Sequence, residues 1–279
     1  MITAIVFSKD RACQLDLFLQ SISLNGNGLF EVIILFESSN EKFKEGYSIA
    51  SGKYPSYDRF SWVEEKNFKE DTVDIVKSSN DKVCFFVDDN ILYKKIPVNI
   101  NDINNILSVE ESPMCLSLRM GKNTYIQNQY SGSRCIPPNK FTVVDDMFLV
   151  WNWKVLPPFT NFAYPFSMDG HIFRKDDVLN IISQYDFDTP NALEGRGLPF
   201  AHKLSENMAS LISSCVVNTP LNLVGSSENM SGKHFGISLE DLNDKYLNGQ
   251  SVDLESIDFS NIIGCHQELE LKFKGELKC

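Results

Sequence analysis

Val83-Cys84-Phe85-Phe86-Val87-Asp88-Asp89-Asn90 is the stretch on which the fold turns. Five apolar residues run unbroken into two adjacent aspartates. An unbroken apolar run marks a strand buried on both faces, whereas a half-exposed strand alternates. Ionised carboxylates do not stay inside such a strand without partners, so Asp88 and Asp89 belong at its exit. In open α/β sheets ligands bind at the carboxyl ends of strands. Two hard oxygen donors there suit Mg²⁺ or Mn²⁺, and a metal held there suits a diphosphate.

The residues before this stretch build up to it. Ile2–Phe7 is a short Ile- and Val-rich strand, followed by the polar turn Ser8-Lys9-Asp10-Arg11. Leu15, Phe18, Leu19 and Ile22 then fall on one helix face, and Asn25-Gly26-Asn27-Gly28 stops that helix. Glu31–Phe36 is a second continuous strand, leading into Glu37-Ser38-Ser39-Asn40. Strand, helix and strand within forty residues make a βαβ unit with a right-handed crossover. In residues 41–62 only a short strand at Arg59–Val63 is placed. Phe68, Thr72, Val73 and Val76 mark a helix that feeds the central strand. The expected fold class is α/β, a mostly parallel sheet flanked by helices.

Downstream the pattern is less regular. A polar helix is expected over Asn101–Val109, and strands over Met114–Leu118, Phe141–Val144, Met147–Trp151 and Cys215–Asn218. Arg119-Met120-Gly121 ends the first of these. Val178, Ile181, Ile182 and Tyr185 share a helix face. Residues 186–200, with Pro190, Gly195, Gly197 and Pro199, read as a loop; Leu204, Met208, Leu211 and Ile212 read as a helix from about His202 to Ser213. Gly225–Gly236 reads as a flexible loop. Ser238 and Asp241 start a last helix at 239–248. Glu268–Cys279 reads as an edge strand or a tail.

Net charge is −11 over 279 residues, which argues against sequence-independent nucleic-acid binding, since phosphates need Lys/Arg stripes. Seven scattered cysteines without a Cys-X-X-Cys pair fit reduced, buried thiols in a cytoplasmic protein. No apolar run reaches transmembrane length.

Third in a βαβ series, and following Ser8-Lys9-Asp10-Arg11 and Glu37 at two earlier strand ends, Val87-Asp88-Asp89-Asn90 resembles the Asp-X-Asp motif of GT-A fold nucleotide-sugar-dependent glycosyltransferases. The resemblance covers roughly residues 2–240 in layout. It implies a nucleotide-binding half at 1–110 and an acceptor-binding half at 111–265 of a single domain 1–265, with 266–279 outside it. It implies transfer of a sugar from a nucleoside-diphosphate sugar to a hydroxyl of a glycan or other acceptor, of the kind used in polysaccharide biosynthesis, with inversion and with Mn²⁺ or Mg²⁺. Asp89 is the preferred metal ligand, since a carboxylate binds these ions better than an amide, with Asp88 facing ribose and Asn90, in the third motif position, a further candidate ligand.

Ser8, Asp10 and Arg11 stand where such enzymes contact the nucleotide; Arg11 offers donors and a stacking plane, while Asp10 reads equally as a helix cap. Glu37 is placed to accept from a base N–H. Asp169, in Phe166-Ser167-Met168-Asp169-Gly170-His171, is the candidate base for the acceptor hydroxyl, or else the cap of the helix expected after it. His171 and His202 read as structural. His234, between Gly232 and Gly236, is a candidate metal ligand in a closing loop, and Lys233 a phosphate contact. Trp151 and Trp153 are candidates for an acceptor platform, because aromatic faces pack against sugars. Two other functions remain open. A sugar-phosphate nucleotidyltransferase uses a related sheet but wants a glycine-rich first turn, which Ser8–Arg11 lacks. A catalytically silent nucleotide-sugar-binding domain is compatible with Asn90.

Overall fold

The structure, a computed structural model, describes residues 1–56, 59–108, 112–128, 132–134, 138, 140–224 and 231–275. The first part alternates strand and helix: β1 (Ile2–Lys9), α1 (Ala12–Asn25), β2 (Phe30–Glu37), α2 (Glu41–Lys53), β3 (Phe60–Glu64), α3 (Phe68–Ser78) and β4 (Lys82–Val87). These four strands are parallel and stand in the order β3-β2-β1-β4. The order reverses between β1 and β4, the switch point at which such sheets bind ligands.

The central strands are buried on both faces, as their unbroken apolar runs require. Cys84 and Phe86 of β4 join Ala4, Val6 and Phe18 in one core, while Val83 and Phe85 join Ile5, Phe7 and Phe173 in the other. Truncating a side chain such as Phe85, which is fully buried, costs about 3–5 kcal/mol.

The chain continues through β5 (Asn90–Leu92), α4 (Ile100–Ile106), β6 (Leu116–Ser117), β7 (Ile126–Asn128), β8 (Ser133–Arg134), β9 (Thr142–Val144), β10 (Phe148–Asn152), β11 (His171–Arg174), α5 (Lys175–Ile182), α6 (Pro190–Ala201), β12 (Asn207–Leu211), β13 (Val216–Asn218), α7 (Leu239–Leu247), β14 (Ser251–Val252) and β15 (Phe273–Lys274). The sheet extends past β4 as β11-β6-β12-β10-β9, nine strands in all among the described residues. β11 runs antiparallel to β4. The residues that leave β4 and those that enter β11 therefore lie at one edge. β13 pairs separately with β5, setting Asn218 opposite Asn90.

Three expectations are corrected and one unassigned stretch is filled. Residues 186–200 are not a loop: α6 fills most of them, capped by the Thr189 hydroxyl, which accepts from the Ala192 N–H, with Pro190 in the first turn. Gly197 reflects crowding, since a Cβ there would lie 2.5 Å from Phe166 and from the Tyr185 hydroxyl. Residues 202–213 are not a helix but contain the interior strand β12. Its buried run Met208–Leu211 has no periodicity that separates helix from strand.

Residues 41–53, left unassigned by pattern, form α2, capped by the Asn40 side chain, with Phe43, Gly46, Tyr47 and Ala50 on its buried face. Gly46 is there because Asn243 packs against it, 2.6 Å from where a Cβ would stand. Finally, Asp169 precedes a strand rather than a helix; α5 starts only at Lys175. The expected strands at β2, β6, β10 and β13 and the helix at α7 are found. Residues 225–230 of the glycine-rich loop, and 276–279 at the end, lie outside the described residues.

Candidate active site

Asp88 and Asp89 form the turn between β4 and β5. They are buried, 3% and 8% exposed, at the carboxyl end of the sheet. The Asp88 N–H donates to the Phe7 carbonyl at 3.2 Å, tying the turn to β1. Burial of two neighbouring acids demands a cation, and Arg11 supplies one. Its Nη1 donates to Asp88 Oδ1 at 3.0 Å and to Asp89 Oδ2 at 3.2 Å, while Nη2 donates to the Asn222 carbonyl at 2.6 Å. Burial raises the Asp88 carboxyl above its ordinary range against the pull of Arg11. It pushes Asp89 up to about 7; Arg11 and Asn218 oppose that rise, and Asp88 and Asp169 add to it.

Ser8 and Asp10 shape the floor beside Arg11. The Ser8 and Tyr47 hydroxyls are 2.7 Å apart, and the Arg11 N–H donates to the Tyr47 hydroxyl at 3.1 Å. Asp10 has a φ of +57° and does not cap α1: its Oδ1 accepts from the Ser39 N–H at 2.7 Å, joining the turns after β1 and β2. Glu37 closes β2 in an exposed ion pair with Lys9 at 2.7 Å.

The reversal at β11 brings Asp169 to the same edge. Asn90 Nδ2 donates to Asp169 Oδ1 at 3.2 Å, while Asn90 Oδ1 accepts from the Val87 N–H at 3.0 Å. Asn90 thus braces the turn from inside and ties it to Asp169 rather than facing outward. Gly170, with φ +72°, passes close beneath; a Cβ there would meet Phe86 at 3.2 Å. Glu194 on α6 accepts from the Ser167 hydroxyl and the Met168 N–H, at 3.1 and 2.7 Å, holding the approach to Asp169.

Three residues that sequence reasoning did not single out complete the cluster. Arg119, 3% exposed just beyond β6, donates from Nη1 to Asp169 Oδ2 at 2.8 Å and to His266 Nε2 at 3.2 Å. Asn218, at the end of β13, donates to Asp89 Oδ1 at 2.7 Å and to Asp169 Oδ1 at 3.4 Å. His266 lies with Nδ1 3.2 Å from Asn218 Oδ1 and Nε2 3.9 Å from Asp169 Oδ2. Arg119 carried a signal in the sequence, a cation directly after an apolar strand; His266 and Asn218 carried none.

The other expected site residues are elsewhere or held differently. Trp151 and Trp153 are core residues, 3% and 4% exposed, with indole N–H groups donating to the carbonyls of Phe162 and Ser205. They offer no acceptor platform. Lys233 and His234 are positioned through their backbone: both N–H groups, and that of Phe235, donate to the Glu268 carboxylate at 2.8 Å. The loop they occupy springs from the site, since the Gly232 N–H donates to the Pro220 carbonyl two residues before Asn222. His171 is fully buried, which lowers its pKa well below the ordinary value, and His202 stacks edge-on against Trp153.

As to a metal, no group of three His, Cys, Asp or Glu side chains that would hold an ion occurs among the described residues. The donor set on hand is Asp88 and Asp89, already gathered around one positive charge. That fits an Mg²⁺- or Mn²⁺-type site in which one or two carboxylates hold the ion and phosphate oxygens and water complete the shell.

No family model matches the chain. A bifunctional glycosyltransferase, pgtA of Dictyostelium discoideum, is 30% identical in an alignment of 198 positions that covers 65% of this chain and 25% of that protein. The chain thus spans a quarter of the curated relative it matches. Among solved structures, residues 1–349 of S. aureus TarS, in complex with UDP-GlcNAc, superpose with a TM-score of 0.52 at 14% identity, over 87% of this chain and 63% of that one. No helix among the described residues is long and apolar enough to cross a membrane. The chain thus has a GT-A-type fold and is similar in sequence, over part of its length, to a bifunctional glycosyltransferase.

Proposed function

We propose that this chain is a metal-dependent glycosyltransferase that moves a sugar from a nucleoside-diphosphate donor to an acceptor hydroxyl, with inversion. The observation that supports this best is the buried Asp88–Asp89 pair at the switch point of the sheet, bridged by Arg11. Nothing in a structural turn calls for two adjacent buried acids; a site built to exchange one cation for another does. Residues 1–110 hold the nucleotide, with Ser8, Asp10 and Arg11 beside it and Glu37 at its rim, and residues 111–265 present the acceptor.

Asp89, with Asp88 next to it, would hold the cation. A divalent ion there would supply positive charge to offset that of a departing diphosphate. Arg11, if released from the acids, would be a donor for phosphate oxygens, in the planar geometry that suits them. Lys233, in the loop that rises from the rim, adds a second positive charge, and His234 stands beside it as a further ligand. Asp169 and its partners serve the acceptor hydroxyl from the other wall.

Thermal denaturation with UDP, GDP, CMP and dTDP, each with and without Mn²⁺, tests the reading. A diphosphate nucleotide should raise Tm only with the metal, and Asp89→Ala should abolish the rise. Failure of all four to shift Tm under either condition would sink the proposal.

A further inference from the structure

We infer that His266 takes the proton of the acceptor hydroxyl, with Asp169 and Arg119 as the residues that position it. This rests on the transferase reading above and names a base within it.

Asp169 is surrounded by donors. Its Oδ2 accepts from Arg119, and its Oδ1 accepts from both Asn90 and Asn218. It is also only 8% exposed. Asp88, Asp89 and Arg119 are equally enclosed, at 3%, 8% and 3%. The His266 side chain is 42% exposed and is open to a substrate approaching from outside.

The tautomer of His266 follows from its neighbours. Asn218 Nδ2 faces the carboxylates of Asp89 and Asp169, which accept and cannot donate when ionised. Asn218 Oδ1 is therefore the atom facing His266 Nδ1, and an amide oxygen only accepts, so Nδ1 carries the hydrogen. At the other end of the ring, Arg119 Nη1 is purely a donor, so Nε2 carries the lone pair. Both ends of the ring give the same answer: a neutral imidazole with the lone pair on Nε2, beside Arg119 and Asp169. Partial loss of solvent around the ring lowers the pKa of His266; Asp169 opposes that and Arg119 adds to it, and these are the two charged groups that face the ring. The free site thus keeps the ring ready to accept a proton at neutral pH.

In the transfer, the acceptor hydroxyl displaces the 3.2 Å contact from Arg119 and binds Nε2. Its oxygen forms a bond to the anomeric carbon. The bond from that carbon to the diphosphate oxygen breaks, and its electron pair leaves on the diphosphate. The hydroxyl proton passes to Nε2. The imidazolium so formed lies 3.9 Å from Asp169 Oδ2, which stabilises it.

Two measurements test this. Imidazole ¹⁵N spectra of the free full-length protein, with His266 assigned by its loss in His266→Asn, should show hydrogen on Nδ1 and none on Nε2; hydrogen on Nε2 overturns the inference without any donor being needed. His266→Asn keeps a side-chain N–H for Asn218 but has no base. Assayed for nucleoside-diphosphate release from UDP-, GDP- and dTDP-sugars, it should lose about 10²–10³-fold in kcat, with donor KM unchanged and the acidic limb of the kcat profile gone. Turnover within threefold of wild type, or a loss confined to donor KM, removes His266 from this role. If no nucleotide binds the wild type, it is the transferase reading that fails, and the role falls with it.

Discussion

Asn218 donates to Asp89 at 2.7 Å across 129 residues of sequence, fastening the second half of the chain to the acid pair of the first. Asn218→Ala leaves Asp89 Oδ1 without its donor in a buried setting and takes the acceptor from His266 Nδ1. The expected results are a loss of about 1–3 kcal/mol in stability and a weaker metal–nucleotide complex. Chemical denaturation and calorimetric titration of UDP with Mn²⁺ check the two effects separately.

Arg11→Ala should separate the site's two cations. Without the guanidinium, Asp88 and Asp89 are buried side by side with no counter-charge, and removing one partner of a buried ion pair costs about 3–5 kcal/mol. Mn²⁺ should then restore much of the lost Tm, whereas Ca²⁺-free buffer with chelator should not. A variant as stable as the wild type in chelator would show that Arg11 is not the charge that holds the acids together.

Asp169→Asn preserves shape and removes charge. It leaves Arg119 buried with no carboxylate and takes the negative field from His266. Transfer should fall by at least about 10²-fold while nucleotide binding, which depends on the opposite wall, stays within a factor of a few. Retained turnover would exclude Asp169 from any part in proton transfer.

Glu65 gives a pH signature unconnected with catalysis. Partial burial, with the negative charge of Glu37 nearby, pushes its carboxyl up to about 7 in the folded protein from a normal unfolded value. An acid raised on folding binds its proton more tightly in the native state, so its contribution is fully present below the unfolded pKa and fades as pH rises through 7. Glu65→Gln should therefore raise stability at pH 8 by about 1 kcal/mol, after discounting for its exposure, and leave it unchanged near pH 4. Urea midpoints at the two pH values measure the difference.

What could be read from the sequence was what rests on local pattern. Val83–Val87, Ile2–Phe7 and Glu31–Phe36 announce themselves because a strand buried on both faces has no polar residue to hide it, and three such runs separated by helix faces leave few topologies. Asp88, Asp89 and Arg11 could be found because each lies within a few residues of a strand end. The wall around Asp169 was not legible in that way. Asn218 and His266 reach the site through the pairing of β13 with β5 and the contacts of the segment after Cys265, long-range events with no local signature. Trp151 and Trp153 misled because aromatic density looks the same whether rings face a sugar or one another. In α2 and α6, glycines that make room for Asn243, Phe166 and Tyr185 imitate loop composition.

Glu268 holds three successive N–H groups of residues 233–235, and it stands only two positions from His266. Its carboxylate acts as a clasp between the glycine-flanked segment and the stretch of chain that carries His266. A displacement of that segment by one ligand must either break three charge-assisted bonds or drag the imidazole along.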